Sequence, residues 1–329
     1  MGIWNMSEIK VSVLCTAYNH EKYIGEALES FVSQEADFHY EILVTDDAST
    51  DSTPEIIRSY AEQYPEKIRY FHQEKNLFSQ GINIYKEILF PNARGKYISI
   101  CEGDDYFTDP KKLAKQVSFL EEHPDYSGCV HNSTYHFCDG KREDELLLPM
   151  QGSRDVEFST IIKGMNHAFH TSSILTKKEL FLDPPDFYDT AFSFGFTDYA
   201  IALWMVMNGK IRFIDEPMSV YRVSSNSDAW SSGVGRNYGK LTGFVKGEIA
   251  MMETLLPHLS GREAELTKDE KLRREYELLY LEGKVGEMVR GPYRKLYRAE
   301  PLSFKIKTGI KQAFPGLHEK YRKNKGYSD

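Results

Sequence analysis

The sequence predicts an α/β protein: a mostly parallel sheet flanked by helices, followed by a helical C-terminal extension. Three observations lead there. Over the first hundred residues, short apolar runs alternate with segments of helical period, an order that implies parallel strands joined by right-handed crossovers. Two segments, Ser52-Thr53-Pro54-Glu55 and Thr108-Asp109-Pro110, have the form of helix starts after a strand. From about Gly239 onward the chain turns helical and charged. The expected division is a ligand-binding and catalytic domain over 1–235 and a helical region over 236–329.

The elements follow in order. Residues 11–15, Val-Ser-Val-Leu-Cys, read as the first strand. Ile24, Ala27, Leu28, Phe31 and Val32 then recur at helical spacing. The second strand, 41–45, ends at Asp46-Asp47. Ile56, Ile57, Tyr60 and Ala61 supply the apolar face of the helix that follows. A third strand is expected over 68–71, a helix over 82–90 and a fourth strand over 97–101. Leu113, Val117, Phe119 and Leu120 mark the next helix. Strands are expected at 127–136 and 172–176, a buried helix at 199–207 closed by Asn208-Gly209, and two short strands at 211–214 and 218–223. There is no internal repeat or low-complexity block.

Composition narrows the class. The chain has 329 residues, 41% hydrophobic and 27% charged, an ordinary globular balance with ample core material. Its four cysteines, Cys15, Cys101, Cys129 and Cys138, form no CxxC pair, which argues against a zinc knuckle and for free thiols in a reducing, cytoplasmic setting. No stretch approaches the roughly 20 apolar residues that span a bilayer, and the first residues lack the features of a signal peptide. No GxGxxG follows the first strand and no P-loop is present, which disfavours a dinucleotide enzyme or a nucleotidyltransferase.

Charge is unevenly spread. The net charge is −8, yet residues 290–329 hold eleven Lys/Arg against three Asp/Glu, so this tail is +8 and the rest −16. Its basic residues are interleaved with Tyr293, Leu296, Tyr297, Leu302, Phe304, Ile306, Ile310, Phe314 and Leu317. Such a segment resembles an interfacial amphipathic helix facing anionic lipid, giving peripheral membrane contact. The other reading is a solvated helix docked on the acidic body or on a second subunit, as in a homodimer. Nucleic acid is not expected, given the acidic body and no binding module.

The segment Glu102-Gly103-Asp104-Asp105 concentrates the chemistry. Its three carboxylates sit at the carboxyl end of the fourth strand, where open α/β sheets bind ligands. Such oxygen donors suit Mn²⁺ or Mg²⁺, ions that usually bridge protein to substrate phosphates. The plain alternative is a solvated turn.

These segments, in this order, resemble family 2 glycosyltransferases of the GT-A fold. The matching blocks are Val11-Ser12-Val13 through Tyr18-Asn19, Glu41 through Asp51, Arg94-Gly95-Lys96-Tyr97-Ile98, Glu102 through Leu113, Thr197-Asp198-Tyr199, Gly209-Lys210-Ile211 and Met218 through Arg222, covering roughly residues 8–225. The resemblance implies inverting transfer of a sugar from a nucleotide sugar, a UDP-sugar, to a hydroxyl of a saccharide acceptor. With the basic tail on a membrane, that acceptor would be lipid-linked, as in cell-surface polysaccharide synthesis. Thr16, Tyr18 and Asp47 fall where the family contacts the base. Glu102, Asp104 and Asp105 fall on its acidic metal motif, with Asp104 also reaching the sugar diphosphate. Asp198 falls on the catalytic base, although an N-cap role also suits it, and Arg222 on a diphosphate partner. Asp51 is assigned to a helix cap. Asn166, His167, His170 and Thr171 lie where relatives approach donor or acceptor, with His170 read as a hydrogen-bonding histidine. Trp204 and Tyr221 read as core. Ser224 stands where many relatives have His, and the Ser/Gly/Asn-rich 224–236 resembles a mobile lid. Two rivals from other classes are a catalytically silent nucleotide-sugar binder and a nucleotidyltransferase on a similar sheet.

Overall fold

The computed structural model describes residues 9–164, 168–223 and 238–313. The first strand, β1 (Val11–Ala17), is almost wholly buried and pairs in parallel with β2 (Tyr40–Asp46) and β4 (Tyr97–Ile100); β3 (Ile68–His72) extends the sheet beyond β2. Strands buried on both faces read as continuous apolar runs, which is why this part was legible. Between them lie α1 (Ile24–Val32), which buries Ile24, Ala27, Leu28, Phe31 and Val32, and α2 (Thr53–Gln63). The Asp51 carboxylate accepts from Thr53 N at 3.0 Å and Thr53 Oγ1 at 2.6 Å, a cap for α2.

The second half of the sheet uses β5 (Tyr106–Phe107), α3 (Lys112–Glu122), β6 (Tyr126–Phe137), β7 (Leu175–Lys177) and β8 (Lys210–Val223). The strand order is β3-β2-β1-β4-β7-β6-β8-β5. β8 runs parallel to β6, whereas β7 is antiparallel to both its neighbours, β4 and β6.

Three expectations need correction. Residues 211–214 and 218–223 belong to one strand, β8, whose register against β6 shifts at Ile214/Pro217 and Pro217/Val220. Bulges absorb the proline, and Asp215 is satisfied by the backbone N–H groups of Gln151 and Gly152 at 2.6 and 2.7 Å. Residues 82–90 hold a π-helical turn over Tyr85–Leu89 where a regular helix was expected. Residues 171–173 form a 3-10 turn, so the strand expected at 172–176 starts only at Leu175.

A buried carboxylate fixes the entry to β4. Glu41, 2% exposed, accepts from Ser12 Oγ at 2.8 Å, Arg94 N at 2.7 Å and Arg94 Nε at 2.9 Å, with Arg69 Nη1 at 3.3 Å. A charge taken out of water is tolerated when it is this fully partnered. Beside it, Gly95 N donates to Ser12 Oγ at 2.9 Å, and a Cβ on Gly95 would stand 2.4 Å from Ser12 N.

The chain divides into two compact units, residues 1–184 with 201–223, and residues 185–200 with 224–329. The second is helical: α4 (Asp186–Ser193), the start of α5 (Thr197–Met207), α6 (Tyr238–Leu255), α7 (Gly261–Leu281), α8 (Arg294–Ala299) and α9 (Leu302–Ala313). In it Phe196 meets Phe244 edge-on at 5.1 Å, and Tyr276, Leu279, Val285 and Met288 form a small core. Glu248 of α6 lies 3.3 Å from Arg274 of α7. Burial nevertheless pushes the Glu248 carboxyl up to about 7 against the pull of that guanidinium.

Candidate active site

The acidic loop leaves the carboxyl end of β4 and is pinned to the end of β1. Cys101 N donates to Leu14 O at 3.0 Å and Gly103 N to Thr16 O at 2.9 Å, while Asp105 N closes a turn on Glu102 O. Gly103 is closely surrounded by side chains. A Cβ would lie 2.8 Å from Ile24 Cδ1, 3.1 Å from His20 Nδ1 and 3.2 Å from Ala17 Cβ.

The carboxylates separate into two kinds. Asp105 is 1% exposed; its Oδ1 accepts from Arg222 N at 2.9 Å. Burial first, then the neighbouring Asp104 charge, raises its pKa well above the carboxylate range, opposed by the Arg222 N–H. Asp104 keeps about a third of its side chain exposed and lies 3.9 Å from His20 Nε2. Glu102 is partly exposed. The loop thus offers Asp104 and Glu102 outward and holds Asp105 behind them.

Arg222 clamps the loop from β8. Its Nη1 donates to Asp104 O at 2.5 Å and its Nη2 pairs with Glu26 on α1. The guanidinium carbon sits 4.4 Å from the Tyr106 ring centroid and 5.1 Å from that of Tyr23. A planar, permanently charged fork is suited to a place between two rings. On the other side His170 stacks on Tyr221, with ring centroids 4.0 Å apart, and its Nδ1 lies 2.9 Å from Ser172 Oγ. His170 Nδ1 is also 3.8 Å from Asp105 Oδ2. Burial lowers the His170 pKa to about 3, so the imidazole is neutral and this approach is not an ion pair.

The loops after β1 and β2 form the adjoining wall. Asn19 and Ala48 adopt left-handed backbone with φ of 55° and 61°. Asn19 N donates to Ser49 Oγ and Thr50 N to Asn19 Oδ1, both at 2.8 Å, lacing the two loops together. Tyr18 is 45% exposed, and Thr16 Oγ1 lies 3.5 Å from the Tyr85 hydroxyl. Asp47 is buried, accepting from Leu77 N at 2.6 Å and Phe78 N at 3.1 Å. Asp46 accepts from Ser49 N at 3.4 Å and lies 3.1 Å from His72 Nδ1.

The first unit therefore gathers Glu102, Asp104, Asp105 and Arg222 around one loop, and carries Thr16 near the carboxyl end of β1 with Tyr18 and Asp47 on the loops after β1 and β2. Asp198 lies in the second unit, in the first turn of α5, partly exposed, with Oδ1 accepting from Tyr199 N at 2.8 Å. The expected lid at 224–236, Ser224, Asn166 and His167 lie outside the described residues. Sequence reasoning missed Glu26, Tyr23, Tyr106 and His20. Of these, Tyr106 lies inside the matched block that begins at Glu102, and Glu26 left a trace as a charged residue in the first turn of α1.

Among the described residues, no three His, Cys, Asp or Glu side chains gather closely enough to hold a metal by themselves. Mg²⁺ and Mn²⁺ bridging to a diphosphate take only one or two carboxylates and complete their shell with phosphate oxygens and water. Two outward carboxylates beside a buried third fit that kind of ion, not an all-protein cage.

Sheet order and acidic loop together define a GT-A type of α/β fold. The chain belongs to glycosyl transferase family 2, whose pattern matches residues 12–194. It is 32% identical over 253 residues to the uncharacterized protein Rv1520 of Mycobacterium tuberculosis, covering 76% of this chain and 69% of that one. Its fold is shared with S. aureus TarS 1-349 solved with UDP-GlcNAc, at a TM-score of 0.56 and 20% identity over 85% of this chain and 75% of the other. It is also shared with the mannosyltransferase PcManGT of Pyrobaculum calidifontis, solved with GDP-Man and Mn²⁺, at a TM-score of 0.51 and 18% identity over 93% and 87%.

Proposed function

We propose that this glycosyltransferase moves a sugar, with inversion, from a UDP-sugar to a hydroxyl of a saccharide acceptor. The acceptor is lipid-linked and the work is cell-surface polysaccharide synthesis on the cytoplasmic side of the membrane. The observation that carries the reading is the acidic loop, held so that Asp104 faces outward at the carboxyl end of a parallel strand in a chain of this family. UDP-GlcNAc bound to TarS supports a uridine donor, and Mn²⁺ beside GDP-Man in PcManGT supports a divalent ion.

Residues 1–235 bind the donor and carry the reaction. Tyr18 stacks on the base, with Thr16 beside it. Asp47 has lone pairs left after Leu77 and Phe78 and accepts the imide N–H of uracil. Asp104 and Glu102 would hold the ion, with Asp105 bracing them from within. A Mn²⁺ or Mg²⁺ ion held there would supply charge neutralisation for the departing diphosphate. Arg222 uses two of its five N–H donors on the loop and on Glu26, leaving others for a phosphate oxygen. Asp198 accepts the proton of the acceptor hydroxyl as its oxygen bonds to the anomeric carbon and the bond to the nucleoside diphosphate breaks.

A panel of nucleotide sugars, each with Mn²⁺, tests the reading by thermal shift and by release of nucleoside diphosphate. One UDP-sugar should raise the melting temperature and be turned over when acceptor is added. Binding without any turnover or donor hydrolysis would leave a silent binder; no shift with any uridine donor would overturn the donor assignment.

A further inference from the structure

Among the described residues, helix α9 docks through one side. Thr308 is wholly buried, with Oγ1 3.3 Å from the Tyr297 hydroxyl, and the Phe304 ring lies 5.2 Å from that of Tyr280. Leu302, Ile306 and Ile310 are 71%, 54% and 49% exposed. They recur every four residues, so they share one stripe of the helix, away from the docked Phe304 and Thr308. Three large aliphatic side chains exposed in line are unlike scattered surface leucines and mark a contact surface.

Charge identifies the partner. Residues 290–313 contain seven Lys/Arg and a single acid, Glu300. Arg294, Lys295, Arg298 and Lys307 are exposed, and the helical wheel sets Lys305 and Lys307 on opposite flanks of the stripe. The aliphatic stripe favours hydrocarbon and the basic flanks favour phosphate head groups. Neither half alone selects a membrane; together they do. No described helix is long and apolar enough to cross a bilayer, so contact made by α9 lies in the interface plane. We propose that α8 and α9 form an anionic-lipid docking surface, with Leu302, Ile306 and Ile310 entering the acyl boundary and the arginines and lysines at head-group level. This surface goes beyond the transfer reaction and stands or falls separately from it.

Co-sedimentation of the full chain with vesicles of phosphatidylcholine, with and without phosphatidylglycerol, tests the surface without any catalytic readout. The chain should bind the anionic vesicles, release them as salt rises, and bind pure phosphatidylcholine at least about tenfold more weakly. Combined Leu302→Ser, Ile306→Ser and Ile310→Ser should lower anionic-vesicle binding by about tenfold or more with circular dichroism and melting temperature unchanged. If that variant misfolds, combined Arg294→Gln, Lys295→Gln, Arg298→Gln and Lys307→Gln should give the same loss. Wild-type chain left in the supernatant would overturn the proposal. So would full binding by the folded variants, including the case where they change only the oligomeric state, which would assign the stripe to a second copy.

Discussion

Lys112 gives the sharpest energetic test of the first unit. It opens α3 with its side chain wholly buried, Nζ donating to Ser99 Oγ at 3.0 Å and Gln116 Oε1 at 2.9 Å, and 4.2 Å from the Phe107 ring centroid. Burial lowers its pKa from 10.5 to about 7, because dry surroundings penalise the ammonium. The folded chain thus gives up this proton earlier than the unfolded chain. Between those two values the unfolded state holds more protons, so stability rises with pH across the window and is flat below it. Three to four pH units at about 1.4 kcal/mol each give a total near 5 kcal/mol, of which about 2 kcal/mol falls between pH 7 and pH 9. Lys112→Met keeps the volume and removes the titration. Urea denaturation of both proteins across pH 7 to 9 should show the wild type gaining about 2 kcal/mol on the variant. Parallel stability curves would refute a buried, proton-shedding lysine.

Other outcomes follow from the same geometry. Asp198→Asn should lower turnover by two or more orders of magnitude (about 10² to 10⁴) with UDP affinity nearly intact; lost UDP affinity as the main defect counts against the base assignment. Asp104→Ala should abolish Mn²⁺-dependent UDP binding in calorimetry at unchanged stability. Asp105→Ala should do so and also cost about 1–3 kcal/mol by leaving the Arg222 N–H unpaired; unchanged UDP–Mn²⁺ affinity in both removes the ion site. Gly95→Ala places a methyl against the β1 backbone and should cost about 3 kcal/mol or more in urea denaturation; a wild-type midpoint refutes the close packing. Glu248→Gln should remove a fall in stability of about 3 kcal/mol between pH 4.5 and 7, since the folded carboxyl there keeps a proton that the unfolded one releases; an unchanged pH profile refutes it.

The first four strands and α1 were legible because burial on both faces writes unbroken apolar runs and helical spacing writes a stripe. β8 was not, because Asp215-Glu216-Pro217 reads as a break; its bulges and the amides of Gln151 and Gly152 come from elsewhere in the chain. The acidic loop stood out as packed carboxylates, but the sequence treats Asp104 and Asp105 alike. Only the fold turns one to solvent and one inward. Likewise nothing near Asp47 announces that Leu77 and Phe78, thirty residues on, donate to it. Strand direction leaves no local pattern, so the reversal of β7 was invisible.

That reversal has a consequence for how the enzyme can diversify. In a run of parallel strands, only exits reach the ligand end, and entrances sit at the far rim. Because β7 runs backward between β4 and β6, its entrance, with His170 and Ser172, arrives beside Asp105. Exchanges at His170 and Ser172 can therefore change what surrounds Asp105 while every rung of the ladder stays in place.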